Sequence, residues 1–158
     1  MYFCDMNILM VCLGNICRSP IADGLLRKKV QENGLEIYID SAGTAAYHVG
    51  KAPDKRMQET AAKFDTPIEN LRARQFNVDD FDKFDLIYVM DKSNYDNVLS
   101  LSRNMADKSK VKFILNETNP GMNLEVPDPY YGGEQGFIDV YNMLDKATDK
   151  IIENLKNG

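Results

Sequence analysis

The stretch that decides the fold is NILMVCLGNICRSP, at residues 7–20. Its opening part, NILMVC, is a short apolar run between polar neighbours, which predicts a strand buried on both faces. Ser19 and Pro20 can supply an N-cap and a first-turn proline, and apolar residues then recur at helical spacing until the Asn-Gly pair at 33–34. We therefore predict a strand, a tight loop and a helix in succession.

The rest of the chain continues this alternation of strands and helices. Apolar runs predict further strands at residues 35–39, 86–90 and 111–115, and helical periodicity predicts helices at 54–64, 92–101 and 137–155. Elements that alternate in this way form a parallel sheet covered by helices on both faces, with ligands at the carboxyl ends of the strands. The loop at residues 13–18, directly after the first strand, therefore lies where chemistry is expected.

Length and charge limit the classes of function. The chain has 158 residues, of which 44% are hydrophobic, and we expect residues 1–158 to form a single compact domain. The chain has 19 lysines and arginines and 24 acidic residues, so its net charge is negative. A negative net charge does not favour nucleic acid or an anionic membrane as the main partner. No apolar run approaches the roughly 18 residues of a membrane span, and the apolar start lacks the basic region of a signal peptide. We expect neither a nucleic-acid nor a membrane partner.

The three cysteines are Cys4, Cys12 and Cys17. An odd number clustered in one short segment is a poor framework for the disulfides of a secreted domain, so we predict a location in the reducing cytoplasm. A zinc site needs more ligands than these cysteines and the lone His48 supply at such spacings. We expect no metal and no cofactor.

The loop between the first strand and helix places a thiol, Cys12, and a guanidinium, Arg18, six positions apart. Gly14 and Asn15 tolerate positive φ, so the backbone can curl until its N–H groups converge and form an anion-binding nest. The N-terminus of the next helix adds its positive dipole end, and Arg18 adds a planar fork of donors. Walker and dinucleotide-binding glycine motifs are absent from the sequence. The predicted phosphate-binding residues are Leu13, Gly14, Asn15, Ile16, Cys17, Arg18 and Ser19.

The same electrostatic field acts on the Cys12 thiol. Helix N-termini and nearby cations favour ionisation of cysteine, so Cys12 can carry a nucleophilic thiolate without a histidine base. The Ser19 hydroxyl can donate a hydrogen bond to that thiolate. The alternative is an inert thiol at a strand end, with Arg18 as a charge on the helix surface. Agreement between the loop sequence and its strand-to-helix context favours the catalytic interpretation.

Five motifs follow one another along the chain: VCLGNICRSPIAD from Val11, DSAGT from Asp40, ARQF from Ala73, MDKSN from Met90 and DPYYGG from Asp128. In sequence and order they resemble the low-molecular-weight protein tyrosine phosphatases. The resemblance implies a flavodoxin-like α/β fold, a three-layer sandwich with a four-stranded parallel sheet in the order 2-1-3-4 and helices on both faces. It also implies hydrolysis of phosphotyrosine and small aryl phosphates through a phosphocysteine at Cys12.

A proton donor is the second requirement of this chemistry. The leaving phenolate has a conjugate acid of pKa about 10, so a proton delivered in the transition state is worth roughly 10²- to 10⁴-fold. Asp128 lies between Pro127 and Pro129, which restrict the direction of its side chain. On local chemistry alone, a Pro-Asp-Pro turn without a catalytic role is an equal alternative. The resemblance assigns Asp128 as general acid and then as general base for the attacking water.

The resemblance extends to the surroundings of the site. Tyr47, Tyr130 and Tyr131 are predicted walls for the phosphotyrosine ring, with ordinary packing or a surface position as the alternative for each. Cys17 matches a cysteine that protects the nucleophile by forming a disulfide with it. The expected partners are a tyrosine-phosphorylated protein or peptide and, as active-site anions, phosphate, vanadate or sulfate.

Residues that support the loop follow the family pattern only in part. Asn15 and Ser41 match family residues whose hydrogen bonds hold the loop in shape. Leu71 stands where many relatives have a histidine in that network, and Asp23 stands where glutamate is usual. In relatives, Asp91 is the partner of that histidine. Because the leucine side chain cannot form a hydrogen bond, the resemblance does not imply a supporting role for Asp91 in this chain.

Three alternative functions use a comparable loop or site. A thioredoxin-coupled arsenate reductase would need a cysteine pair far downstream, and no cysteine follows Cys17. Phosphoarginine phosphatases of the same family tend to have threonine at the position of Ile16 and lack the tyrosine pair after the acid, so Ile16 and Tyr130 favour an aromatic substrate. A noncatalytic phosphoprotein-binding or redox-sensing module would not need the thiol, the guanidinium and the carboxyl together.

Overall fold

The computed structural model describes residues 6–157, and within this range strands and helices alternate. The elements are β1 (Met6–Cys12), α1 (Arg18–Glu32), β2 (Ile37–Gly43), α2 (Lys55–Lys63), α3 (Asp80–Lys83), β3 (Leu86–Val89), α4 (Lys92–Leu99), α5 (Met105–Ser109), β4 (Val111–Phe113) and α6 (Gly133–Asn157). Two 3₁₀ turns, Ile114–Asn116 and Pro129–Tyr131, flank the long connection between β4 and α6. Cys4 lies outside the described residues.

The four strands form one parallel sheet in the order β2-β1-β3-β4. β1 pairs with β2 along its whole length, from Met6 opposite Ile37 to Cys12 opposite Gly43, and with β3 on its other side. The predicted parallel sheet and its order are confirmed. Because β1 is central, the loop that follows Cys12 lies in the middle of the carboxyl edge of the sheet.

The side chains of β1 fill both layers of the core. Ile8, Met10 and Cys12 belong to the apolar cluster that α1 and α6 cover, and Leu9 and Val11 belong to the cluster on the other face of the sheet. Full burial of such aliphatic side chains contributes roughly 1.5–3 kcal/mol each. The continuous apolar run in the sequence thus reflects a strand that has no solvent face.

Several boundaries differ from the prediction, each for a local reason. β2 begins at Ile37 and continues to Gly43 because β1 offers it pairing partners that far. α1 begins at Arg18, with Cys17 in the N-cap position, so Ser19 lies inside the helix and is buried and is not its cap. β4 ends at Phe113, where the chain turns into the first 3₁₀ turn. The helix predicted at 54–64 is confirmed, with Asp54 as its N-cap.

The long connection before α6 returns across the carboxyl edge of the sheet. The Val126 amide donates to the Met90 carbonyl at 2.8 Å, which fixes this segment just beyond the end of β3. Asp128 follows two residues later and starts the turn Pro129–Tyr131. Among the helices of residues 6–157, none is long and apolar enough to cross a membrane.

Candidate active site

The loop from Leu13 to Cys17 owes its shape to two residues with special backbone roles. Asn15 has φ of +57°, whereas Gly14 does not adopt positive φ, so only one of the two predicted positions uses that freedom. Gly43, at the end of β2, lies directly beneath the loop, and a Cβ there would be 2.7 Å from the Leu13 carbonyl oxygen. The glycine of the DSAGT motif is therefore required for the close approach of two backbones.

Some carbonyl groups of the loop form hydrogen bonds with other described residues, whereas several of its amide groups do not. The Leu13 carbonyl accepts from the Ala45 amide at 2.9 Å, and the Ile16 carbonyl accepts from the Asp54 amide at 2.7 Å. Within residues 6–157, the amide groups of residues 14–17 donate no hydrogen bond to protein. These four donors are therefore available to an anion, as the predicted nest requires.

A side-chain network orients the hydroxyl next to Cys12. The Asn15 carboxamide oxygen accepts from the Arg74 amide at 3.0 Å, which fixes the orientation of the carboxamide. Its nitrogen donates to Ser19 Oγ at 2.8 Å and to Ser41 Oγ at 3.0 Å. Ser19 Oγ lies 3.0 Å from Cys12 Sγ and 3.4 Å from the Ala42 carbonyl oxygen, so the sulfur is the nearer of two possible acceptors for the Ser19 hydrogen. Asn15 and Ser41 are thus in contact with each other, and Asn15 also contacts Ser19; their role as loop supports stays a prediction.

Arg18 is a charged side chain in an almost fully buried position, with 3% of its surface exposed. Its Nη1 donates to Asp91 Oδ2 at 2.6 Å and to the Val126 carbonyl at 3.0 Å. Burial alone would lower the pKa of Arg18, but the charge of Cys12 and the hydrogen bond and charge of Asp91 raise it above the usual arginine value. Arg18 therefore stays a fixed cation beside the thiol.

A cavity of about 290 Å³ brings the predicted catalytic groups together. It is lined by Cys12, Leu13, Gly14, Ile16, Cys17, Arg18, Tyr47, His48, Asp128 and Tyr130. Among the lining residues, Leu13, Tyr47 and Tyr130 are exposed, and the role of Tyr47 and Tyr130 as walls for a substrate ring stays a prediction. Tyr131 lies in the adjacent turn, and its side chain is outside the described groups.

Among the described residues that line this cavity, Asp128 is the only one with a carboxyl group. Its Oδ1 accepts from the Tyr130 amide at 3.0 Å, and its Oδ2 lies 3.9 Å from Arg18 Nη2. One oxygen is thus held by the backbone of its own turn, while the other faces the anion site. The Asp128 side chain is 43% exposed, so water can reach it.

Cys17 differs from Cys12 although both line the cavity and both are free thiols. Burial, and then the negative charge of Asp54, raise the pKa of the Cys17 thiol far above its usual range. Cys17 is therefore protonated at neutral pH and is a poor nucleophile. Among the described residues, no group of three histidine, cysteine, aspartate or glutamate side chains is arranged to hold a metal ion.

The two departures from the family pattern have separate structural outcomes. Leu71 packs partly buried against the apolar cluster that includes Cys12. Asp23 is fully buried in α1 and pairs with Arg27, and burial raises its pKa against the lowering effect of that pair. Asp91 does contribute to the site, through its ion pair with Arg18. The family pattern did not predict this role of Asp91, because it depends on a contact with Arg18, which is far away in the sequence.

The model of the low molecular weight phosphotyrosine protein phosphatase family matches residues 7–158. The chain belongs to this family. A member from Schizosaccharomyces pombe is 39% identical to it, over 96% of this chain and 97% of the relative. A member from Gallus gallus is also 39% identical, over 93% of this chain and 94% of the relative. A crystal structure of a protein tyrosine phosphatase from Entamoeba histolytica, with Hepes in the active site, has a TM-score of 0.90 at 37% identity, covering 98% of this chain and 99% of that one. The predicted flavodoxin-like fold is thus shown.

The ion pair between Arg18 and Asp91 can be tested by stability. Asp91→Asn retains a side chain that can cap α4 but removes the negative charge beside a buried guanidinium. We expect the free energy of unfolding in urea to fall by about 2 kcal/mol, since hydrogen bonds to buried charges are worth more than neutral ones. Activity should fall as well, because Arg18 loses its fixed position.

The matched control is Asp82→Asn, which breaks an exposed ion pair with Arg103 on the surface. Exposed pairs contribute little to stability, so this variant should unfold at nearly the same urea concentration as the unmodified protein. Equal losses in the two variants would contradict the assigned importance of the buried pair.

Proposed function

We propose that the protein hydrolyses phosphotyrosine in proteins through a phosphocysteine intermediate on Cys12. The observation that carries the proposal is a single cavity lined by the Cys12 thiol, the Arg18 guanidinium and the Asp128 carboxyl. The unpaired amides of residues 14–17 belong to the same loop. A nucleophile, an anion site and a proton donor are the three components that hydrolysis of an aryl phosphate needs.

In the first step the Cys12 thiolate attacks phosphorus. The sulfur–phosphorus bond forms as the bond from phosphorus to the phenolic oxygen breaks, and Asp128 transfers its proton to that oxygen. Arg18 and the loop amides bind the equatorial phosphate oxygens, whose charge increases in the transition state. Ser19, which accepts from Asn15, donates its hydrogen towards the sulfur. This donor stabilises negative charge on the sulfur, which makes it a better leaving group in the second step.

In the second step Asp128, now a carboxylate, accepts a proton from water. The water oxygen bonds to phosphorus as the sulfur–phosphorus bond breaks, which regenerates the Cys12 thiolate and releases inorganic phosphate. The partial exposure of the Asp128 carboxyl gives water a route to this position. The same site should bind phosphate, vanadate or sulfate as competitive anions.

An aromatic substrate fits the rim of the cavity better than phosphoarginine does. Leu13, Tyr47 and Tyr130 expose apolar surface there, and Ile16 lines the cavity itself. These side chains can pack against a phenyl ring, whereas a guanidinium substrate would need an acceptor or an acidic partner beyond Asp128. The alternative to an enzyme is a noncatalytic phosphoprotein-binding module. Turnover of an aryl phosphate distinguishes the two.

We also propose that Cys17 protects Cys12 from irreversible oxidation, in the reducing cytoplasm. A peroxide would oxidise Cys12 to a sulfenic acid and be reduced to water or an alcohol. The Cys17 thiol would then attack the sulfenic sulfur, and water would leave with the Cys17 proton as the disulfide forms. Because the pKa of Cys17 is raised by burial, the reactive thiolate is scarce, and disulfide formation should be faster as pH rises.

The acid assignment predicts a leaving-group effect. Asp128→Asn should lower kcat/KM for phenyl phosphate by about 100-fold, but much less for 4-nitrophenyl phosphate, whose phenolate leaves without full protonation. Steady-state kinetics with both substrates measure the difference. Cys12→Ser, the control for the nucleophile, should abolish turnover of both while inorganic phosphate still binds. A proportionate loss on both substrates in Asp128→Asn would rule out the acid role.

The redox proposal predicts recovery of activity. After brief treatment with hydrogen peroxide and then with dithiothreitol, the unmodified protein should regain most of its activity, whereas Cys17→Ser should regain little because its Cys12 is oxidised further. Peptide mass spectrometry should detect a Cys12–Cys17 disulfide before reduction. Equal recovery by both proteins, with no such disulfide, would contradict a protective role.

A further inference from the structure

Arg56, in the first turn of α2, contacts the turn that carries Asp128. Its Nη1 donates to the Tyr130 carbonyl oxygen at 3.1 Å. Its guanidinium carbon lies 4.9 Å from the centroid of the Tyr130 ring and 4.7 Å from that of Phe137, within the range of cation–π contacts. Phe137 is fully buried in α6, so one of the two rings is a rigid support.

The opposite edge of the Arg56 guanidinium is fixed by Asp54. Arg56 Nε and Nη2 donate to the two Asp54 carboxylate oxygens at 3.2 and 3.1 Å, and the Asp54 amide donates to the Ile16 carbonyl of the anion loop. The same carboxylate caps α2 by accepting from the Arg56 amide at 2.8 Å. Arg56 therefore connects the anion loop, through Asp54, to the turn that follows the acid.

The contacts on the two sides of Asp128 come from different parts of the site. On the N-terminal side, the Val126 amide is bound to Met90 and the Val126 carbonyl to Arg18. On the C-terminal side, Arg56 binds the carbonyl of Tyr130, whose amide in turn donates to Asp128 Oδ1. The direction of the carboxyl group depends on this turn, since one of its oxygens is bound to the turn backbone.

We propose that Arg56 is a positioning residue that holds the Asp128 turn against the anion loop, so that the carboxyl group reaches the leaving oxygen. The inference rests on the proposed general-acid role of Asp128. Arg56 itself does not line the cavity and contacts no reacting atom, so it acts through Tyr130. A displacement of the turn by a fraction of an ångström would weaken proton transfer while leaving the nucleophile and the anion site in place.

The experiment compares kcat/KM for 4-nitrophenyl phosphate with kcat/KM for phenyl phosphate. Arg56→Met keeps a long apolar side chain between the rings but removes the hydrogen bonds to Asp54 and Tyr130. We expect this variant to raise the ratio of the two constants by about tenfold, because only the poor leaving group depends strongly on the acid. The inhibition constant of inorganic phosphate should change little, since Arg18 and the loop amides remain.

Two further variants make the result specific. Arg56→Lys retains the charge but cannot bind Asp54 and Tyr130 with one planar fork, so it should raise the ratio by a smaller factor. Lys63→Met is the matched control, because Lys63 also connects α2 with α6, through an ion pair with Glu134 at 2.6 Å that does not involve the acid turn. It should leave the ratio unchanged. If Arg56→Met does not fold, the ratio measured for Arg56→Lys tests the positioning role.

The outcomes separate this inference from the function on which it rests. An unchanged ratio in the folded Arg56 variants, together with a raised ratio in Asp128→Asn, would overturn the positioning role and leave the catalytic assignment intact. An unchanged ratio in Asp128→Asn would overturn the acid assignment itself. Loss of phosphate inhibition in Arg56→Met would mean that Arg56 acts on the anion loop through Asp54, which also contradicts the proposal.

Discussion

The buried charge of Arg18 is the constraint on which the rest of the site depends. A guanidinium that is 3% exposed must be compensated, and the groups that do so come from distant parts of the chain. They are Asp91 at the start of α4, the Val126 carbonyl in the segment before Asp128, and Asp128 itself, whose Oδ2 lies 3.9 Å from Nη2. One cation thus holds the loop after β1, the helix after β3 and the acid segment together. The cation that an anion site needs is therefore also a point of contact between segments that are distant in the sequence.

Two cysteines of the anion loop, five residues apart, differ in their chemistry because their surroundings differ. Cys12 ends a central strand, faces the cavity and has the Ser19 hydroxyl within 3.0 Å, so its thiolate is stabilised by a donor. Cys17 lies beside the Asp54 carboxylate, and burial together with that negative charge keeps its proton in place. The distinction between nucleophile and reserve thiol therefore comes from the neighbours, since the two residue types are identical.

The sequence is sufficient for features whose causes are local. The run NILMVC, the curl at Asn15 and the helix that follows were predictable because strand burial, positive φ and helical periodicity depend on adjacent residues. The extent of β2 was not, since β1 decides how far it pairs, and α3 and α5 are too short to show a helical period. The bond of Asp91 to Arg18 joins residues 73 positions apart, and the role of Gly43 depends on a loop from another strand. Such contacts arise only when the sheet assembles.

The most direct test of the phosphocysteine mechanism is to trap the covalent intermediate. Asp128→Asn protein, in which hydrolysis of the intermediate should be slowed, is mixed with 4-nitrophenyl phosphate, denatured within milliseconds and mapped by peptide mass spectrometry. We expect one phosphoryl group, on the peptide that contains Cys12, and none when Cys12→Ser is added to the same protein. A phosphoryl group on another residue such as His48, or release of a full equivalent of nitrophenolate with no modified peptide, would contradict it.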